Sequence, residues 1–448
     1  MPNFTPQEIL DRVRSLAQRS GAAEAEAYLE IANFTDARVR QGEVEFLAQS
    51  SVQGIGVRVF VDRKVGFSYT TDIRPNVIDE LVRRTIVLAS QNSPRDENRL
   101  PDEQLPALPD LELYDDAVAK MRAPDLIALA RKAEDHAFAA DKRIGTTRDA
   151  RAGAATGEVH FTNSYVPYQT FKTTTCWLGV TAIASDGTMK REGSFEDRRR
   201  VFLDLNTPER AGRKAAERAV ARLGAKPVPT TQAPVIFEAD AAAAFLAGLV
   251  PALSAANIVE QRSFFLGKLN KPAASPLVTI VDDGILRRGI ATRPFDGEGV
   301  QQRRTVLIDA GTLIKSLHTA TTARRMNVRL TGNATRTYDT LPTVGATNLY
   351  IVPGATTIDK MVADTTRGLL VTEVAGFGFD TVAGEYSQQV AGRWIEKGVL
   401  GASVEGVTVA GRLGEMLLGI DGVGRDLEYR SAICSPSIRF RQLTIAGT

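Results

Sequence analysis

The chain has 448 residues, 43% hydrophobic and 24% charged, the composition of a folded protein too long for one ordinary core. Its 55 basic and 53 acidic residues leave a net charge of +2, which argues against a dedicated nucleic-acid binder. Two cysteines, Cys176 and Cys434, exclude a disulfide framework, and no apolar run reaches the ~20 residues of a membrane span. With no basic-then-apolar leader pattern, the expected setting is the reducing cytoplasm, with no membrane partner.

Thr5-Pro6-Gln7-Glu8 has the form of a capping box with proline at the first helical position; Ile9, Val13 and Leu16 follow on one face. Residues 26–70 alternate apolar and polar, with turn signals at Gln41-Gly42-Glu43 and Asp62-Arg63-Lys64, which predicts an antiparallel meander. Asn76 is expected to cap a helix bearing the stripe Ile78, Leu81, Val82, Thr85, Ile86 and Ala89. Pro94, Pro101, Pro106 and Pro109 mark residues 91–110 as a surface connector. A helix is expected over 124–141, then strands over 144–205 with a hairpin at Asp186-Gly187. Arg198-Arg199-Arg200 reads as a solvated strand end. Thr207-Pro208-Glu209 opens a helix that Gly224 closes. The segment 225–231 joins that helix stop to two prolines, and divides the chain into domains 1–225 and 226–448.

The second domain is expected to begin with a strand over 234–238 and an Ala-rich helix from Asp240. Mostly strands follow, over 277–281, 305–308 and 349–352, with short helices over 312–325 and 358–364. Asp282-Asp283-Gly284 reads as a turn, and Phe295-Asp296-Gly297-Glu298-Gly299 as an exposed acidic loop. The Gly-rich run 368–411 then places β-like pieces at 369–374, 393–396 and 404–409 between Gly376, Gly378, Gly384, Gly398 and Gly401. So much glycine in a sheet allows another backbone, such as an extended peptide, to come close. Strands mixed with a few helices, without βαβ alternation, give the fold class α+β.

The three histidines, His136, His160 and His318, have no second histidine at ligand spacing, and no H-E-x-x-H or C-x-x-C is present. His136 reads as a surface residue, and His318 as a structural histidine or one that lines a cavity. No G-x-S-x-G elbow exists; Cys434 reads as a buried, inert thiol, and Ser387 as a polar peptide contact without an identifiable base. Gly54-Ile55-Gly56 lies inside a strand pattern and lacks a third glycine, so the dinucleotide reading fails on context.

Several blocks in a fixed order carry a family resemblance. They are residues 21–26 (GAAEAE), Gly54-Ile55-Gly56-Val57-Arg58-Val59 with Gly66-Phe67, residues 295–300 (FDGEGV) and 304–308 (RTVLI), Leu317-His318 and Thr331-Gly332-Asn333-Ala334. The Gly-rich run adds Val371-Thr372-Glu373, Gly384-Glu385-Tyr386-Ser387, Trp394-Ile395-Glu396 and Val409-Ala410-Gly411. Over essentially its whole length the chain resembles the TldD/PmbA family, also labelled modulators of DNA gyrase, in its PmbA (TldE) branch.

The resemblance implies a two-domain α+β fold that dimerises around an enclosed chamber. It implies a zinc peptidase activity in TldD-type chains, which carry H-E-x-x-x-H on a helix and a later ligand cysteine, paired with a TldE-type chain that lacks them. In this sequence the corresponding Ala-rich helix, 240–256, has neither His nor Glu, and Cys434 lies near the level of the family's ligand cysteine. The expectation is a non-catalytic subunit that binds no cofactor itself, with zinc in a TldD-type partner and unfolded peptides as substrates. Gly376, Gly378, Gly384, Ser387 and His318 are the expected chamber-wall or peptide contacts. The alternatives are a homodimeric peptide-binding or regulatory module without catalysis, and a peptidase using Ser387 or Cys434 as nucleophile.

Overall fold

The computed structural model describes residues 4–103, 110–376 and 378–447. Pro106 and Pro109 of the expected connector lie outside the described residues.

Helix α1 (Pro6–Arg19) begins with the predicted capping box, in which Thr5 Oγ1 accepts from the Glu8 amide and Glu8 Oε2 from the Thr5 amide. Strands β1 (Glu24–Arg40), β2 (Glu43–Val61) and β3 (Lys64–Thr70) form the meander. Its turns place Gln41-Gly42 and Asp62-Arg63 at positive φ, as tight hairpins require. Helix α2 (Pro75–Gln91) starts before Asn76, which therefore caps nothing. Pro75, with φ already set for a helix, takes the first turn after Arg74. Helices α3 (Asp116–Ala119) and α4 (Ala123–Ala140) follow, then β4 (Ile144–Asn163), β5 (Gln169–Ser185), β6 (Lys190–Arg199) and α5 (Pro208–Ala221).

The six strands form one antiparallel sheet, ordered β3-β2-β1-β4-β5-β6. Helices α1 and α2 bury Leu10, Val13, Ile78 and Val82 against Leu29, Ile55 and Val57. Further along the sheet, α4 and α5 bury Leu126, Ala133 and Ala215 against Ala37, Ala152 and Leu178. Alternation puts these sheet residues on one face and leaves the other for different contacts.

The rest of the chain contains β7 (Thr231–Phe237), α6 (Ala239–Leu253), α7 (Ala255–Val259), β8 (Lys271–Pro272), β9 (Ile280–Asp283), β10 (Arg304–Asp309) and β11 (Thr312–Leu313). Next come α8 (Ala320–Met326), β12 (Ala334–Thr335), β13 (Thr343–Val344), β14 (Leu349–Ile351), α9 (Ile358–Ala363), β15 (Arg367–Ala375), β16 (Phe379–Asp380), β17 (Glu385–Glu396) and β18 (Val399–Arg412). Helix α10 (Leu413–Leu418), β19 (Ile420–Val423), β20 (Ile433–Cys434) and β21 (Ile438–Ala446) follow. Mixed helix and strand with mainly antiparallel pairing make the fold α+β, as expected. Strand β7 starts at Thr231, within the segment read as a linker, and pairs with Ile445 there.

In the Gly-rich region the sheet closes on itself. β7 pairs with β15 and β21, β21 with β18, β18 with β17, and β17 back with β15, a ring of five strands. From it Phe237, Tyr386 and Phe440 pack on Phe245 of α6 at centroid distances of 5.5–6.1 Å. A second sheet, β20-β14-β9-β10-β11-β8, shares this core through Ile280, Leu307 and Leu349.

Four local expectations are corrected. Residues 312–313 form a hairpin with β10 around Ala310-Gly311, both at positive φ, so the expected helix over 312–325 is confined to α8. Asp282 and Asp283 sit in β9 rather than a turn and are buried. The acidic segment 295–299 is buried because Asp296 accepts amides of Glu298, Val300 and Ala334 while Glu298 meets Arg58. Arg200 of the arginine run is buried, donating to the carbonyls of Gly289, Thr174 and Ile290.

That acidic segment helps join the two parts of the molecule. Phe295 packs on Phe161 and Phe171 of the first sheet at 5.8 and 5.1 Å. Beside them Glu26 binds Arg58 (2.8 Å) and Arg336, and Arg58 also reaches Glu298 (3.2 Å), all buried. Removing one member of such a buried set typically costs ~3–5 kcal/mol, because its partners keep their charge.

Candidate functional site

A cleft of about 880 Å³ lies between β6 and α5 on one side and α6, β15, β17 and β20 on the other. Helix α6 is Ala-rich because it is packed on one side and cut back on the other. Phe245, Leu246 and Leu249 enter the core, while Ala239, Asp240 and Ala243 line the cleft. Gly248 lies against the Phe379 ring, where a Cβ would come within 2.4 Å. Across from α6, β20 is an edge strand: it pairs with β14, and Ile433, Cys434 and Ser435 line the cleft. Thr372 faces the cleft from a bulge in β15, its hydroxyl donating to the Ala391 carbonyl at 3.3 Å.

The charges here are largely paired. Asp240 accepts from Arg218 (2.5 Å) and from Arg430, and both guanidiniums lie over the Phe195 ring, at 5.9 and 5.1 Å. Burial pushes the Asp240 carboxyl upward, but the two arginines outweigh it and hold it below its ordinary value. Neighbouring Glu238 is raised by burial, which its weaker attraction to Arg218 does not offset. Arg210 pairs with Glu428 at 2.7 Å. Cys434 is buried with Sγ 3.2 Å from the Ser431 carbonyl.

The residues present do not fit a zinc ion. At the cleft, α6 offers no imidazole, Asp240 is committed to two arginines, and Cys434 is a single thiol. Among the described residues no group of three or more His, Cys, Asp or Glu side chains converges as a metal site. The arrangement can do something else. An extended chain laid beside β20 would meet the outer side of a two-residue edge strand and a wall of fixed guanidiniums.

One row of the first sheet leads away from this cleft on the helix-free face. Arg198, a cleft residue, lies opposite Trp177, then Gly153, Asp36 and Ala48 follow across the strands. Arg198 stands over the Trp177 ring at 5.6 Å, and Trp177 Nε1 donates to Asp36 at 3.1 Å. The ring covers Gly153 so closely that a Cβ there would lie 2.0 Å from it, which explains the glycine.

The residues singled out from sequence lie elsewhere. Gly376 is exposed at φ +96, and the Gly378 carbonyl accepts the Ser387 amide at 2.6 Å, so that edge position is already used within the chain. Gly378 and Ser387 line a separate pocket of about 430 Å³ with Phe379, Asp380, Thr381 and Glu385. Gly384, at φ +74, faces Phe264. His318 is buried, with Nε2 3.0 Å from Ser316 Oγ, and burial lowers its pKa to about 4, so it is neutral at physiological pH. The structure brings Gly378 and Ser387 together, and none of the five lines the cleft. Arg218, Asp240 and Arg430 were missed because they come from three distant segments; the one available signal was Asp240 at the start of an alanine helix.

Three family models match along the chain: PmbA/TldA metallopeptidase domain 1 over residues 25–89, the central domain over 116–223 and the C-terminal domain over 230–447. The metalloprotease PmbA of Escherichia coli O157:H7 is 32% identical over 411 residues, covering 91% of this chain and 89% of that protein. A Thermotoga maritima crystal structure, provisionally described as a modulator of a DNA gyrase, superposes with a TM-score of 0.90 at 26% identity. The match covers 99% of this chain and 100% of that one. TldE from Thermococcus kodakarensis shares the fold, with a TM-score of 0.89 at 21% identity over 98% and 100% of the two chains.

Proposed function

The chain belongs to the PmbA/TldD metallopeptidase family, and from that premise we propose that it is the non-catalytic, TldE-type subunit of a two-component zinc-dependent peptidase. One observation carries the reading: the helix that faces the cleft beside Cys434 presents Ala239, Asp240 and Ala243 and no imidazole. A zinc peptidase needs a metal held by three protein ligands with an open position for water, and these residues do not supply it. A TldD-type partner would bring the zinc and the activated water. This chain would wall the chamber and hold an unfolded substrate beside β20, where backbone pairing is independent of sequence. Two arginines bound to Asp240 and stacked on Phe195 keep that wall rigid.

The test is bound zinc and hydrolysis of an unfolded peptide, measured for the purified chain and for the chain co-purified with a TldD-type partner. Both properties are expected only in the pair. Zinc-dependent cleavage by this chain alone would overturn the reading. Cleavage by the partner at the same rate with and without this chain would equally remove its role in the chamber.

A further inference from the structure

Between α7 and β8 the chain leaves the core and comes back to it. Phe264 and Phe265 anchor the departure, their ring centroids 4.1 Å apart: Phe265 is buried in the core and Phe264 lies against Gly384. From Leu266 to Pro272 every residue is exposed, in the sequence LGKLNKP. Gly267 and Asn270 take φ of +71 and +61, and the Lys271 amide donates to the Lys268 carbonyl at 2.9 Å, so the excursion is a tight projecting turn. Leu266 and Leu269 on it are 48% and 45% exposed. Val382, next to the Thr381 carbonyl that accepts the Phe264 amide, is 57% exposed. Side chains left in water add little to the burial that stabilises the fold. Residues 262–277 include Arg262, Lys268 and Lys271 and no Asp or Glu. Lysine ion pairs among the described residues involve Lys172, Lys214 and Lys360, so both lysines of the turn are free. The acids at its base are occupied: Glu260 pairs with Arg262 at 3.2 Å, and Asp380 caps the amides of Val382 and Ala383 at 2.8 and 2.9 Å.

We propose that the turn 266–272 is a contact with an anionic lipid surface. Leu266 and Leu269 would enter the boundary between headgroups and acyl chains, while Lys268 and Lys271 meet the anionic headgroups. Charge and shape together favour a bilayer over a protein partner. A protein would have to offer a hollow for a projecting tip and carboxylates on both sides of it. An anionic bilayer presents negative charge over an apolar layer along its whole surface, and yields to a tip. The four-carbon stem of each lysine lets its ammonium stay at headgroup level while the leucines go deeper. No helix among the described residues is long and apolar enough to cross a membrane, and a surface contact needs none. One short turn makes such a contact reversible. It needs nothing from the reading of the cleft.

The experiment mixes the full chain with vesicles of phosphatidylcholine, or of phosphatidylcholine and phosphatidylserine in equal parts, and reads co-sedimentation and amide hydrogen exchange. The wild type is expected to pellet with the mixed vesicles alone, to be released at ~1 M salt, and to show slowed exchange at residues 266–272. Lys268→Ala and Lys271→Ala should each weaken binding about fivefold, the equivalent of ~1 kcal/mol per basic residue near an anionic surface. Leu266→Ser combined with Leu269→Ser should weaken it as well, with the melting temperature unchanged because both positions are exposed. Failure to bind the mixed vesicles, or equal binding to both kinds, would overturn the proposal. So would binding insensitive to all these substitutions. Slowed exchange at 266–272 that rises with protein concentration and needs no vesicles would also overturn it, since a second copy would then cover the turn. Should the variants fail to fold, wild-type exchange decides alone: slowing by mixed vesicles that spares 266–272 sinks the idea.

Discussion

Asp282 shows how a buried residue can govern the response to pH. It accepts from Asn333 Nδ2 (2.6 Å) and from the amide and hydroxyl of Thr347 (2.6 and 2.8 Å), yet burial outweighs these bonds and lifts its pKa to about 6. The ordinary unfolded value is ~3.9, so the folded state binds this proton more tightly. Its stabilising contribution is therefore full below about pH 4 and lost as pH rises through about 6. A shift of this size is worth at most on the order of 3 kcal/mol. Asp282→Asn should flatten the pH dependence of thermal stability between about pH 4 and about pH 6, measured as melting temperature. An unchanged slope would mean that Asp282 does not titrate in that window. Burial and the Glu298 carboxylate also raise Asp296, so part of the slope should survive the substitution.

Among the elements, the contact between α4 and α5 depends on one missing side chain. A Cβ on Gly212 of α5 would lie 2.2 Å from the Ala133 carbonyl and 2.6 Å from the Ala137 amide. Gly212→Val should push the helices apart and lower stability by ~1–3 kcal/mol or more, read from a urea melt, with the far-UV spectrum largely retained. Elements of this kind were legible in the sequence. Capping at Thr5, alternation in β1 and β2, the turn at Asp186-Gly187 and the start of α5 at Thr207-Pro208 all rest on local chemistry. Other features were not legible because tertiary contacts decide them. Nothing near residues 295–299 announces that Arg58, some 240 positions away, makes that acidic segment a buried one. The glycines at 376 and 384 sit at positive φ as turn signals should, but Gly378 pairs with Ser387, and nothing announced that the strands close into a ring and use their own edges. The cleft was legible only through the helix whose metal ligands are absent; its arginines come from segments that share no pattern.

For the whole molecule, the two sides of the cleft are held by ion pairs as well as by packing. Glu405 of β18 binds Arg191 and Arg222 at 2.6 Å each, and Arg218 and Arg210 reach Asp240 and Glu428. These groups are partly exposed, and at ~1 M salt the screening length falls to ~3 Å. Limited proteolysis within residues 225–230 should therefore quicken at high salt while the core of each side stays resistant. Equal rates at low and high salt would show that packing alone holds the cleft shut. The closed ring sets a different condition, one of timing. β7 lies between β15 and β21, so roughly 200 residues must be synthesised after it before its second neighbour exists; at ~5–20 residues per second that takes on the order of 10–40 s. During that interval the nascent chain displays an apolar strand, Val235-Ile236-Phe237, with at least one edge unpaired, together with the alanine helix that packs on it. A barrel that closes its own edges once complete therefore makes the unfinished chain a client for whatever chaperone waits at the ribosome.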